Sequence, residues 1–196
     1  MPELKIIQYP HPTLRYKSRP ITRVDRELKQ MVRQMFDLMY EANGIGLAAN
    51  QVDLPLQLFV VNTKGNPDEG KEMVFVNPVL SLPKGSDEAE EGCLSIVGVH
   101  ANVARPERIH VSAYDLQGNS FDETVDGMLA KVIQHEKDHL DGVLFVDRIN
   151  ESSRRRVEME LEEFEIDFEH QRSTGEIPDD QTILARLAEI ESRYCS

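Results

Sequence analysis

Three things are scarce in this chain: cysteine, basic charge and long apolar runs. Only Cys93 and Cys195 occur among 196 residues, and nothing at the N-terminus resembles an export signal, so the chain is no disulfide scaffold. Cys195 is next to last, where chains usually fray, which leaves Cys93 in need of its own explanation. No apolar run approaches the roughly 20 residues of a membrane-spanning helix. The start, Met1-Pro2-Glu3-Leu4-Lys5, lacks the basic region and apolar stretch of a signal peptide. A cytoplasmic location and no membrane partner are the expectation. Lys and Arg number 22 against 35 Asp and Glu, for a net charge of −13 and a pI near 4.9. Such a chain is poorly suited to gripping phosphate backbones, so DNA is not an expected partner. Internal repeats and low-complexity tracts are also missing.

What is present is an ordinary globular balance, 40% apolar and 29% charged, enough for one domain with an appended segment. Pro2, Pro10, Pro12 and Pro20 make the first twenty residues extended or looped. Leu28, Met31, Val32, Met35, Leu38 and Met39 recur at helical spacing, predicting a helix over 25–42 that Asn43-Gly44 stops. The segments 56–61, 73–76 and 108–114 read as strands, with turns at Gly65-Asn66-Pro67 and Gln117-Gly118-Asn119. A second helix is predicted over 124–140, and a short strand over 143–146. Residues 151–196 carry 13 acidic and 6 basic side chains. Val157, Leu161, Phe164 and Phe168 lie on one face of a helix there, and a last helix follows over 181–193. The fold class expected is α+β, with antiparallel sheets around a central helix and a helical C-terminal extension. Residues 1–150 form the expected catalytic domain and 151–196 an acidic extension, packed on the core or reaching for a partner.

The strongest chemical signal is His135-Glu136-Lys137-Asp138-His139. On a helix, residues four apart share one face, about 5–6 Å between Cβ atoms. Two imidazoles so placed can share one metal ion, and the intervening Glu136 can reach a water bound to it. Met128, Leu129, Val132 and Ile133 make the preceding turns apolar, so the pair enters the core. His11, His100, His110 and His170 have no ligand spacing and read as structural or exposed. A catalytic metal needs a third ligand and an open position. An HExxHxxGxxH extension fails, because Gly142 fits but Phe145 stands where the third histidine would be. A glutamate downstream, Glu158 or Glu160, stays open on spacing alone. So does Cys93, in Glu90-Glu91-Gly92-Cys93-Leu94-Ser95-Ile96, whose thiolate suits zinc or ferrous iron but which alone also fits a small buried hydrophobe. The last feature is Gly44-Ile45-Gly46-Leu47-Ala48-Ala49-Asn50-Gln51. Its small residues let backbone approach a ligand, and Gln51 adds a donor. By itself this stretch reads equally as a tight turn against a sheet.

Taken together and in this order, the segments 44–51, 91–95 and 134–142 resemble the peptide deformylase family, with its GxGLAAxQ, EGCLS and QHExDHLxG motifs. The resemblance covers roughly residues 3–149. It implies that Cys93, His135 and His139 bind one divalent metal, commonly ferrous iron, with zinc or nickel as substitutes. It implies Glu136 as general base and then acid, and Gln51 and the Leu94 N–H as oxyanion donors. Gly46 would contact the substrate backbone, while Ile45, Met128 and Val132 line a methionine pocket. The implied reaction is removal of the formyl group from the N-terminal methionine of new polypeptides by hydroxide generated at the metal. Two positions depart from the pattern: Val97 replaces the usual proline, and His100 stands where an Arg or Tyr often meets substrate. Family members can dock on the ribosome through a basic C-terminal helix, an implication that transfers poorly to this acidic extension. Transient ribosome contact and a monomeric state are the remaining expectations. Two other functions fit parts of the pattern, an endopeptidase cutting internal peptide bonds and a binding protein without turnover.

Overall fold

The computed structural model describes residues 3–196. Helix α1 (Arg26–Glu41) begins where the Asp25 side chain accepts from the Leu28 N–H at 2.9 Å, an N-cap of the usual kind. It ends ahead of Asn43, whose φ is 57°, and buries Leu28, Met31, Val32, Met35, Phe36 and Met39. The strands β1 (Gly46–Ala48), β2 (Leu58–Val61), β3 (Met73–Lys84), β6 (Arg108–Tyr114) and β7 (Ser120–Asp126) form one antiparallel sheet in the order β1-β2-β3-β6-β7. The hairpin β4 (Asp87–Cys93) and β5 (Ile96–Arg105) makes a separate two-stranded ribbon.

Strand β2 shows why its sequence is a continuous apolar run. Leu58 and Val60 face the cluster built on α1, while Phe59 and Val61 face the cluster built on α2 (Gly127–Leu140). With both faces covered, alternation has no use, and each fully buried side chain contributes about 1.5–3 kcal/mol. A third cluster joins Ile96, Val99 and Val103 of the ribbon to Leu14, Phe145 and Leu161. Helix α2 packs its apolar face on the sheet and meets the ribbon through polar contacts of His135 with Glu91 and of Asp138 with Arg105.

The C-terminal segment forms α3 (Glu151–Arg156), α4 (Glu158–Thr174) and α5 (Asp180–Tyr194) and packs on the core. Leu161 and Phe168 of α4 are buried, and Tyr9 donates to Glu165 at 2.8 Å. Ile183, Leu187 and Tyr194 of α5 are buried, and the Thr22 N–H donates to the Tyr194 carbonyl at 2.8 Å. Tyr194, Ile190 and Cys195 join the α1 cluster, so the end of the chain is tied down where fraying was expected.

Three sequence expectations need correction. The helix predicted from residue 124 starts at Gly127, because Thr124–Asp126 pair with Arg108–His110 in the sheet. The strand predicted over 143–146 is a 3-10 turn, Phe145–Asp147, closed by Asp147 accepting from the Leu144 N–H at 2.8 Å. The strand starting at Met73 runs on to Lys84, past Pro78, through irregularities in its pairing with β6.

Candidate metal and catalytic site

Cys93 sits at the end of β4, where the pairing register with β5 shifts and the chain turns through Leu94 and Ser95. This turn brings Cys93 to the face of α2 that carries His135 and His139. One ligand atom from each of the three lies within 4.8 Å of the other two. Cys93 Sγ is 3.3 Å from His139 Nε2. Of the third-ligand routes the spacing left open, the structure thus brings Cys93 to the histidine pair, whereas Glu158 and Glu160 are exposed on α4. Phe145 stacks on the His135 ring at 6.4 Å between centroids.

Two of the three, His135 and Cys93, are held from behind. Glu91 Oε2 accepts from His135 Nδ1 at 3.0 Å, which leaves Nε2 free to coordinate. Glu91 is in turn gripped by Arg105 through Nε at 2.5 Å and Nη2 at 2.8 Å. Arg105 Nη1 also reaches Asp138 at 2.8 Å, and Arg148 pairs with the same carboxylate. Burial opposes the charge on Glu91, but the hydrogen bonds from Arg105 and His135 win and hold its carboxyl at about 2. The Cys93 sulfur accepts from the Ser95 N–H at 3.4 Å and from Gln51 Nε2 at 3.4 Å.

The electrostatics separate the two histidines. Burial, then the charges of His135 and Arg105, push His139 well below the ordinary range, so its ring is neutral, the form that binds metals. Burial also opposes a charged His135, but hydrogen bonding to Cys93 and Glu91 overrides it and raises this group. Burial lifts the Glu136 carboxyl to about 7, against the pull of His135 and Arg105. Among the described residues, Glu136 Oε2 and His139 Nδ1 have no hydrogen-bond partner although both are buried. A soft sulfur, two imidazoles and an unpartnered carboxylate oxygen fit one divalent cation with an open position for water.

A cavity of about 690 Å³ opens onto this set. Gln51, Ile45, Gly46, Leu94, Met128 and Val132, all singled out from the sequence, line it, together with Cys93, His135 and Glu136. Met128 is at the exposed rim and Val132 deeper. His139 is almost wholly buried behind the cavity wall. Val97 and His100, where the family pattern breaks, also line the cavity. Glu91, Ser95, Asp138 and Arg105 were not singled out. Glu91 and Ser95 lie inside the cysteine segment and Asp138 inside the histidine motif, but nothing in the spacing marked Arg105.

The sequence matches the family model described as "Polypeptide deformylase" over residues 3–155. The chain is similar to a peptide deformylase of Rhodopirellula baltica, 52% identical over 191 residues, covering 97% of this chain and 95% of that protein. It is 44% identical over 186 residues to the chloroplastic/mitochondrial peptide deformylase 1B of Arabidopsis thaliana, covering 93% of this chain and 66% of that longer protein. A plant peptide deformylase crystal structure superposes with a TM-score of 0.86 at 41% identity, covering 92% of this chain and 97% of that one.

Proposed function

The chain belongs to the polypeptide deformylase family, hydrolases that remove the N-terminal formyl group from nascent peptides, and from that premise we propose how its own residues divide the work. Cys93, His135 and His139 hold a single divalent cation, ferrous iron in our reading, with zinc or nickel as substitutes. When bound, that ion supplies Lewis acidity and makes a water in the open position acidic enough to attack near neutral pH.

Glu136 receives the proton from the attacking water. A carboxyl that titrates near 7 can both take that proton and return it to the departing nitrogen, which frees formate and the amine. Gln51 and the Leu94 N–H donate to the negative charge growing on the formyl oxygen. The Gln51 carboxamide is pre-set for this. Its Oε1 accepts from the Ala48 N–H at 2.9 Å, and Nε2 donates to Ser95 Oγ at 3.2 Å. Its other amide hydrogen donates to Cys93 Sγ at 3.4 Å, beside the cavity, and turns from the sulfur to meet the formyl oxygen. Losing one such donor costs about 10²–10³ in rate. Gly46 offers backbone to the peptide, and Ile45, Met128 and Val132 enclose the methionine side chain. Such an apolar pocket discriminates by only about 1–3 kcal/mol per methylene.

The observation that carries this reading is the buried Glu136 carboxylate, whose Oε2 has no partner, beside a sulfur and two imidazoles at the foot of the cavity. The test is formate release from a formyl-methionyl tripeptide by metal-loaded wild type and by Glu136→Ala at equal metal content. The variant is expected to be slower by about 10²–10⁴, the usual contribution of a positioned acid–base. Equal rates would remove Glu136 from the mechanism.

Among the described residues no helix is long and apolar enough to cross a membrane. We infer a cytoplasmic enzyme that works as a monomer with transient ribosome contact. In this reading residues 1–150 are the catalytic unit and 151–196 the extension that braces it.

A further inference from the structure

Strand β1 has two edges. One pairs with β2, Gly46 opposite Val61, and the ladder continues as the Asn62 N–H donates to the Ile45 carbonyl at 3.0 Å. Gly44, Ile45 and Gly46 also line the cavity. Whatever fixes Asn62 therefore fixes the wall.

Asn62 is buried, and its side chain is bonded at every position. The two hydrogens of Nδ2 are shared among three acceptors, Tyr40 Oη at 3.0 Å and the carbonyls of Asn66 at 3.0 Å and Glu69 at 2.9 Å. Oδ1 accepts from the Lys64 N–H at 3.1 Å, and the Asn62 carbonyl accepts from the Gly65 N–H at 2.9 Å. One carboxamide thus folds residues 63–70 back on themselves and anchors them to α1 through Tyr40. The folded loop then abuts the wall: a Cβ placed on Gly65 would lie 3.3 Å from the Gly44 carbonyl oxygen and 3.4 Å from Ile45 Cγ2. None of the loop lines the cavity, so its influence passes through β1.

We propose that Asn62 is a positioning residue for substrate binding: it locks the 63–70 loop as a buttress that holds the Gly44–Gly46 backbone where an extended formyl-peptide can lie along it. This rests on the reading of that wall as the peptide's contact surface. Asn62 touches neither the Cys93, His135 and His139 set nor Glu136, so it reaches the site only through the wall, and its loss is read mainly in affinity. A backbone wall that drifts loses the hydrogen-bond geometry of an added strand, since main-chain bonds supply most of the affinity in that mode.

The test is a KM-against-kcat split. Formate release from a formyl-methionyl tripeptide is measured for wild type and Asn62→Ala, with metal content and thermal midpoint recorded. The expected result is a KM raised about tenfold with kcat within about threefold and metal content unchanged. A purely structural role would lower the midpoint and the active fraction, hence apparent kcat, and leave KM where it was; that result overturns the proposal. If Asn62→Ala does not fold, Gly70→Ala replaces it. Its added methyl would overlap Asn62 Oδ1 and crowd Lys64 Cγ at 2.7 Å, disturbing the same bonds from an exposed loop position. An unchanged KM in that variant equally overturns the proposal. A wild type that releases no formate would defeat the deformylase reading, whereas an active wild type with unmoved KM in the variants defeats only this inference.

Discussion

Gly46 is packed so tightly against Glu136 that a Cβ at position 46 would lie 2.9 Å from the Glu136 Cδ, and equally near Val132 Cγ1. Real Cβ atoms do not approach that closely, so a larger residue must displace the carboxylate, the helix α2 side chains or β1 itself. The glycine serves close approach here and not a special turn.

Gly46→Ala is therefore expected to retain its metal and its fold but lose about 10²-fold in kcat, the scale on which a misplaced catalytic group acts. Metal analysis with steady-state kinetics checks this. A variant with full kcat would mean that Glu136 tolerates displacement.

Glu91 orients His135 and is itself oriented by Arg105. Glu91→Gln replaces a charged acceptor with a neutral one and breaks the Arg105 pairing, so metal affinity should fall about 10–100-fold. Competition against a chelator measures it. Arg105→Lys keeps the charge but not the fork, and should lie between wild type and Glu91→Gln.

Acid should expose the same network through stability. The Glu91 carboxyl is held at about 2 in the folded protein, against an ordinary 4.5. A depressed folded-state value means that its contribution is complete above 4.5 and drains away as pH falls from there toward about 2. In metal-free protein, the thermal midpoint of wild type should drop more steeply across that window than that of Glu91→Gln. Parallel curves would say that Glu91 adds nothing to folding.

Which of these features a sequence can carry follows from how local each one is. The α1 stripe and the 108–114 alternation are periodic, the β2 run is a short continuous apolar stretch, and all three are short-range signals that appear where the sequence places them. The two histidines share a helix, so their geometry was also legible. Cys93 was legible as a metal ligand only beside the other two motifs, because it reaches α2 by a turn between strands whose own pattern is weak: β4 is Asp87-Glu88-Ala89-Glu90-Glu91-Gly92-Cys93, acidic and largely without apolar residues. Arg105 acts across the ribbon on Glu91 and across to Asp138 on α2, contacts that no spacing encodes. The 143–146 segment is apolar and buried like a strand, but a side-chain bond from Asp147 closes it into a turn.

The extension packs α4 and α5 side chains into the core, which makes its interior costly to hollow out. Leu187 is almost wholly buried on α5, and Leu187→Ala should cost about 2–5 kcal/mol. Denaturant unfolding monitored by circular dichroism checks it. A change below about 0.5 kcal/mol, typical of surface positions, would show that α5 adds nothing to the core.

In the proposed site a sulfur at the β4–β5 turn completes a metal cage with two imidazoles of α2. X-ray absorption at the metal edge of anaerobically purified protein reads this directly. One sulfur scatterer with imidazole nitrogens, lost to an all-nitrogen and oxygen shell in Cys93→Ser, is the predicted result. A wild-type spectrum without sulfur would contradict it.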